Sequence, residues 1–310
     1  MQVGASILDA IGNTPLINLQ AIVPEGSARI LAKLEWSNPT GSMKDRMARA
    51  AILGAVEKGY LKRGGTVVEY TAGTTGVSLA LVCAALGYNL EIVFSDAFAD
   101  EKRRVMLALG AHITDVKSEG SGITEKLIKT MIATSHEIAQ RPNHWWSDQL
   151  NNHDGIAGYH ALGEEIWEQT GGQINAFVQA VGTAHSIHGT ASAIRKHTKL
   201  HVTAVEPAES AVLSGGMTGS HQIEGIGIGF IPPLWGPEQV DEIIPVPSAD
   251  AKAMARRIAK EAGIFAGTSS GANVCAALQI AKRLGPGKTV VTIMVDSGLR
   301  YLSTDLYRPV

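Results

Sequence analysis

Short apolar runs rich in β-branched residues alternate along the chain with longer stretches whose apolar positions recur at helical spacing. The pattern predicts strands at Ile30–Leu34, Thr66–Tyr70, Leu90–Ser95, His112–Val116, Ala176–Val181, His201–Glu206, Ile243–Val246 and Val290–Val295. Between them it predicts helices over Met43–Lys58, from the 71–76 loop to about Leu86, Asp100–Leu109, Ile123–Ala139, Gly158–Glu168, from the 182–186 loop to about Lys196, and over 249–262 and 269–284. Strand-helix alternation of this kind means β-α units and mostly parallel sheets. The rhythm breaks once, between Arg141 and Asp154, where Pro142, Trp145, Trp146 and Asn151-Asn152-His153 form a loop-rich stretch taken as a domain crossing. The expected division is a smaller α/β domain over 40–150 and a larger one built from 1–39 and 151–310.

Composition narrows the class without choosing a function. The chain has 310 residues, 45% of them hydrophobic, enough to bury two cores. A formal net charge of -2 carries no signature of nucleic-acid or membrane-surface binding. Met1-Gln2-Val3-Gly4 is not a basic segment leading into an apolar run, and no stretch is apolar enough to cross a bilayer, so the expected location is the cytoplasm. Cys83 and Cys275 lie far apart in alanine-rich helical patterns and read as free, buried thiols. His153 and His160 lack a cysteine or carboxylate partner at metal spacing, so no metal is expected.

Chemistry concentrates at Asn38-Pro39-Thr40-Gly41-Ser42-Met43-Lys44-Asp45-Arg46. Pro39 and Gly41 interrupt what precedes, and Ser42 with Asp45 reads as a capping box. Lys44 then falls in the first helical turn, where the partial positive charge of the N-terminus favours the neutral amine, the form that attacks carbonyls. Two further loops share one design, a strand followed by small hydroxylated and glycine residues and then a helix. They are Thr71-Ala72-Gly73-Thr74-Thr75-Gly76 and Gly182-Thr183-Ala184-His185-Ser186. Backbone N–H groups at such helix starts bind anions, one a phosphate and the other a carboxylate; the same small residues also serve plain tight turns. The chain has no Gly-x-x-x-x-Gly-Lys-Ser/Thr, and the run from Gly225 to Gly229 lacks the third glycine of a dinucleotide loop, which excludes those two nucleotide-binding patterns.

With these motifs in order, the chain resembles the cysteine synthase and cystathionine β-synthase group of pyridoxal-phosphate (PLP) enzymes, fold type II, nearly end to end. The resemblance is carried by Gly12-Asn13-Thr14-Pro15-Leu16, residues 38–46, the 71–76 loop, Gln149, Gly182-Thr183, residues 224–232, Gly267-Thr268-Ser269-Ser270-Gly271-Ala272 and residues 296–304. It implies an α/β chain of two domains, each a mostly parallel twisted sheet flanked by helices, like the tryptophan synthase β chain. It implies Lys44 as the Schiff-base lysine and later proton shuttle. Gly182, Thr183, Ala184, His185 and Ser186 are implied to hold the cofactor phosphate, and Ser297 to face the pyridine nitrogen. Thr71, Ala72, Gly73 and Thr75, with Gln149, are implied to grip the substrate carboxylate, while Thr74 stands by the phenolic oxygen and Gly225 borders the substrate amine.

Two loops depart from the family pattern. Ala72 and Thr74 stand where Thr-Ser-Gly-Asn-Thr-Gly is usual, removing one hydroxyl and shortening one reach. Ala184-His185-Ser186 replace Gly-Gly-Thr, and since alanine and histidine disfavour shapes open to glycine, the phosphate loop is expected to differ in backbone. His185 either adds charge beside the phosphate or faces solvent. His188 reads as an ordinary helix residue, Trp145 and Trp146 as packing at the domain junction or, for one of them, as a wall of the substrate entrance, and Lys102-Arg103-Arg104 as a solvated face.

The expected reaction is β-replacement on an activated L-serine, of the O-acetylserine or O-phosphoserine type, giving L-cysteine or a related β-substituted alanine. The alternatives are a β-elimination lyase, replacement with a nucleophile other than sulfide, and a catalytically silent binding protein of the same fold. The expected partners are a small amino acid and a small nucleophile, with no nucleic acid and no membrane, and a homodimer is what the family implies.

Overall fold

A computed structural model of the protein describes residues 3–118 and 124–308. In chain order its strands are β1 (Leu16–Asn18), β2 (Arg29–Leu34), β3 (Thr66–Tyr70), β4 (Asn89–Ser95), β5 (His112–Val116), β6 (His144–Trp146), β7 (Ala176–Ala180), β8 (His201–Pro207), β9 (Glu242–Val246) and β10 (Thr289–Met294). Its helices are α1 (Lys44–Glu57), α2 (Thr74–Leu86), α3 (Asp100–Ala108), α4 (Glu125–Ala139), α5 (Asp154–Ala157), α6 (His160–Gln169), α7 (His185–Arg195), α8 (Ser248–Ala262) and α9 (Thr268–Leu284). The predicted start of α4 at Ile123 lies outside the described residues.

Two compact units form, one of Met1–Ile11 with Lys44–Gly158 and the other of Gly12–Met43 with Tyr159–Val310. Among the described residues the first holds a four-stranded sheet in the order β5-β4-β3-β6, every pair parallel. The second holds a six-stranded sheet in the order β1-β2-β10-β7-β8-β9, parallel except for β1 against β2. Both sheets are the mostly parallel, helix-covered kind that strand-helix alternation dictates. No helix among the described residues is long and apolar enough to cross a membrane.

The boundaries differ from those expected at residues 39–40 and 150. Residues up to Ile11 belong with the smaller unit because Leu8 and Ile11 are buried in its core beside Ile52, Ala55 and Val77. Arg49 Nη1 also donates to Leu8 O at 2.9 Å and to Ile11 O at 3.3 Å, tying that segment to α1. The chain leaves the smaller unit after Gly158, not within the loop-rich stretch. That stretch hides β6, whose His144–Trp146 pair in register with Thr66–Val68. Trp145 packs on the smaller unit's core and Trp146 stands edge-on to His136 at 5.7 Å, so both are sheet residues of that unit. The helix predicted over Gly158–Glu168 is α6, which starts at His160, and the unpredicted short α5 precedes it; at Gly158, between them, a Cβ would come 2.7 Å from Arg46 O, so only glycine allows that approach.

The core of the smaller unit explains α2. Its sequence has no polar face, and Thr75 to Ala80, Val82 and Cys83 are all buried, with the helix packed on α1 as well as on β3 and β4. In the larger unit, α8 and α9 close over the six-stranded sheet through Ala251, Ile258, Ala272, Val274, Ala276 and Ile280. Burial pushes the free thiols of Cys83 and Cys275 up to about 12.

Candidate active site

In the smaller unit, Lys44 is the first residue of α1 and is half-buried. The next residue, Asp45, is fully buried, and its Oδ1 accepts from Ser78 Oγ of α2 at 2.6 Å. This bond fixes the first turn of α1 against the middle of α2. The start of α2 is the 71–76 loop. Thr71 Oγ1 accepts from Gly73 N at 2.9 Å, closing a tight turn, and Gly73 takes φ +127°. Ala72 is exposed, Thr74 half-buried and Thr75 buried. Thr75 donates through Oγ1 to Gln149 Oε1 at 2.9 Å, and Gln149 Nε2 donates to Tyr70 O at 2.8 Å. Thr71, Gly73, Thr74, Thr75 and Gln149 therefore converge at one helix N-terminus, whose first-turn N–H groups have no acceptor within the helix.

Two side chains that the sequence reading did not assign to this region belong to it. Glu69 is buried in β3 and accepts from Ser147 Oγ at 2.6 Å, Gln149 N at 2.9 Å and Tyr70 N at 3.0 Å. Burial raises its carboxyl from 4.5 to about 7, against the lowering effect of those three donors. A lone carboxylate inside the apolar run Thr66–Tyr70 was the available signal. Lys102 is the second, and it corrects the solvated face expected of Lys102-Arg103-Arg104. It is buried, and its aliphatic stem lies against Gly73, where an added Cβ would stand 2.8 Å from Lys102 Cβ and overlap Cδ. Lys102 shares its helix face with buried Met106, a four-residue spacing that marks the inward side of α3. Arg103 and Arg104 stay outside, paired with Asp115 and Asp100.

In the larger unit, β7 leads through Gly182 and Thr183 into α7, and His185 and Ser186 are already its first two residues. At Gly182 a Cβ would come 2.5 Å from Gly225 O, so the loop and the 225 turn touch through backbone. Gly225 itself takes φ +84°. Ala184 takes φ +69°, ψ -9°. Alanine here adopts the left-handed shape that glycine favours and bears its cost of about 1–2 kcal/mol. A left-handed residue followed by right-handed ones turns successive N–H groups to one side, and that nest at the start of an eleven-residue helix suits a phosphate. The half-buried Thr183 and Ser186 hydroxyls border it.

His185 does not face solvent; it is buried, with Nδ1 2.8 Å from Thr183 Oγ1. Gln179 of β7 reaches Ser186 Oγ from Nε2 at 2.5 Å. His188 is more than an ordinary helix residue, because its Nε2 accepts from Gly236 N at 3.2 Å and burial lowers its basicity. It thereby fastens the 232–237 loop to α7. Ser297 is half-buried; its N donates to Gly41 O at 3.0 Å and its Oγ accepts from Leu299 N at 3.3 Å. Residues 41–43 are held alongside 295–297 by that bond, by Met43 N to Val295 O at 3.0 Å, and by the bridge of Ser42 to Asp296.

The smaller unit thus carries a lysine at one helix start and small hydroxylated residues at another, and the larger unit carries an anion-suited nest at a third. Residues 7–296 match the family described as pyridoxal-phosphate dependent enzyme, and the chain belongs to that family. It is 41% identical over 306 residues to a cysteine synthase of Staphylococcus aureus, covering 97% of this chain and 96% of that one. Its fold is similar to that of a cysteine synthase from Entamoeba histolytica, with a TM-score of 0.93 and 38% identity over 100% of this chain and 92% of that one. It is also similar to an O-acetylserine dependent cystathionine β-synthase from Helicobacter pylori, with a TM-score of 0.92 and 34% identity over 99% of this chain and 100% of that one.

Proposed function

We propose that the protein catalyses β-replacement on an activated L-serine, of the O-acetylserine type, with sulfide as the simplest nucleophile. The observation that carries this reading is the contact of Ser297 with Gly41, which holds a neutral hydroxyl residue beside the segment that ends in Lys44. PLP, when bound, supplies the electron sink for charge that develops at the substrate Cα. The Ser297 hydroxyl, at the ring nitrogen, would moderate that sink where a carboxylate would strengthen it, which suits bond breaking at Cβ.

The remaining work falls to the chain. The nest at 182–186 would hold the cofactor phosphate, with the Thr183 and Ser186 hydroxyls adding donors. Thr75 N–H and the second Nε2 hydrogen of Gln149 orient the substrate carboxylate. Thr74 would stand by the cofactor's phenolic oxygen, and Gly225, without a side chain, would leave room at the substrate amine. The Lys44 amine takes the Cα proton; the Cβ–O bond breaks and acetate leaves with the electron pair. Sulfide then forms the Cβ–S bond and Lys44 returns the proton to Cα. The motif resemblance further supports a homodimer working in the cytoplasm.

The test is product analysis with O-acetyl-L-serine and sulfide. The expected products are L-cysteine and acetate in equal amounts, with turnover lost at least about a thousandfold in Lys44→Ala. Pyruvate and ammonia without L-cysteine, or full turnover in the variant, would overturn the assignment.

A further inference from the structure

Buried carboxylates are costly, and one with three hydrogen-bond donors directed at it has been placed for a reason. Glu69 sits at the end of β3, two residues before Thr71. Its Oε1 accepts from Tyr70 N, whereas Oε2 accepts from both Ser147 Oγ and Gln149 N. The last two bonds clamp the loop that follows β6. That loop carries Gln149, whose Oε1 is taken by the Thr75 hydroxyl and whose Nε2 gives one hydrogen to Tyr70 O. With the backbone of Gln149 held by Glu69 and both ends of its amide engaged, the second Nε2 hydrogen has one direction.

We propose that Glu69 is a positioning residue for the substrate carboxylate, acting through Gln149. The inference rests on the assignment of Gln149 and Thr75 to that carboxylate. Glu69 touches no reacting atom. It fixes the 147–149 loop so that the amide of Gln149 is ordered before the amino acid arrives, which spares the ordering cost on binding. A glutamine at 69 offers a single carbonyl oxygen. Aimed at Ser147 and Gln149 N, it sets its NH2 against the N–H of Tyr70; turned the other way, it releases the loop.

The experiment measures calorimetric dissociation constants of the PLP-loaded enzyme for L-serine and for L-serinamide, which lacks the carboxylate. The variants are Glu69→Gln, Gln149→Ala and the double variant. Each single change is expected to weaken L-serine about tenfold, the loss of about one oriented hydrogen bond. The double variant is expected to match Gln149→Ala within about twofold, because both changes remove one interaction. L-Serinamide is expected to shift less than about twofold in all three.

If Gln149→Ala leaves L-serine binding intact, the carboxylate assignment itself fails and the inference falls with it. If Gln149→Ala weakens L-serine but Glu69→Gln does not, or the two losses multiply, or L-serinamide weakens equally, only the role of Glu69 is overturned. Should Glu69→Gln not fold, Ser147→Ala leaves the carboxylate in place with one donor fewer. It is expected to weaken L-serine about threefold and not further when Gln149→Ala is added; an unchanged constant would refute the positioning role.

Discussion

Ser297 N donates to Gly41 O at 3.0 Å, joining the residue implied to face the cofactor ring nitrogen to the loop that delivers Lys44 three residues later. The bond is made by backbone, so the side chain at 297 is free to be exchanged without loosening the loop. Ser297→Ala is therefore expected to retain the fold and the cofactor while kcat/KM falls about tenfold, the worth of one hydroxyl contact. Steady-state kinetics with O-acetyl-L-serine, alongside cofactor content by absorbance, checks this. Loss of bound cofactor would place Ser297 in retention and not in reactivity.

Gly73 combines φ +127° with a position where a Cβ would overlap the Lys102 stem. Gly73→Ala is expected to lower stability by about 2 kcal/mol or more and to raise KM for the amino acid, because the loop must move off the α2 start. Denaturant unfolding and KM measured together check both effects. A stable variant with an unchanged KM would show that the loop tolerates the shift.

At Ala184 the direction reverses. The left-handed backbone costs alanine about 1–2 kcal/mol, while glycine adds about 0.5–1 kcal/mol of chain entropy to the unfolded state. Ala184→Gly is accordingly expected to stabilise the protein by about 0.5–1 kcal/mol, read as a higher denaturant midpoint at constant m-value.

Glu69 predicts a pH dependence of stability. Its carboxyl rises from 4.5 to about 7 on folding, so the native state holds a proton that the unfolded chain has released. Stability from this group is fully present below 4.5 and is lost as pH climbs through about 7; Asp148 nearby adds to the raising. The loss is on the order of 3 kcal/mol. Glu69→Gln removes it, so relative to the parent the variant is expected to gain stability between pH 5 and pH 8. Chemical denaturation across that range reads the difference, and a constant gap would mean that Glu69 does not titrate there.

Much of this arrangement was legible in the chain. The strands β3 and β5 and the start of α3 fall where apolar patterning put them, because buried parallel strands and amphipathic helices have strong periods. The short β1 and β6 were not legible, since three residues carry no period and the paired tryptophans of β6 read equally well as a packed loop. The loops at 71–76 and 182–186 announced themselves by residue type, but their shapes did not. Nothing in a list of small residues tells that Ala184 accepts a glycine-like backbone or that His185 turns inward. Lys102 was missed because three consecutive basic residues look alike until helix phase separates the one that shares a face with Met106.

The strand order of the larger unit has a consequence for how the protein comes into being. β10 lies between β2 and β7, with Arg29 paired to Thr289. The sheet therefore cannot be completed on the ribosome until nearly the whole chain has emerged. Residues 44–158, by contrast, are synthesised early and without interruption, and among the described residues their four strands pair only with one another. Translation thus delivers the unit that carries Lys44 and the 71–76 loop first. The unit with the 182–186 nest, which opens off β7, has a gap in its sheet until the last strand arrives.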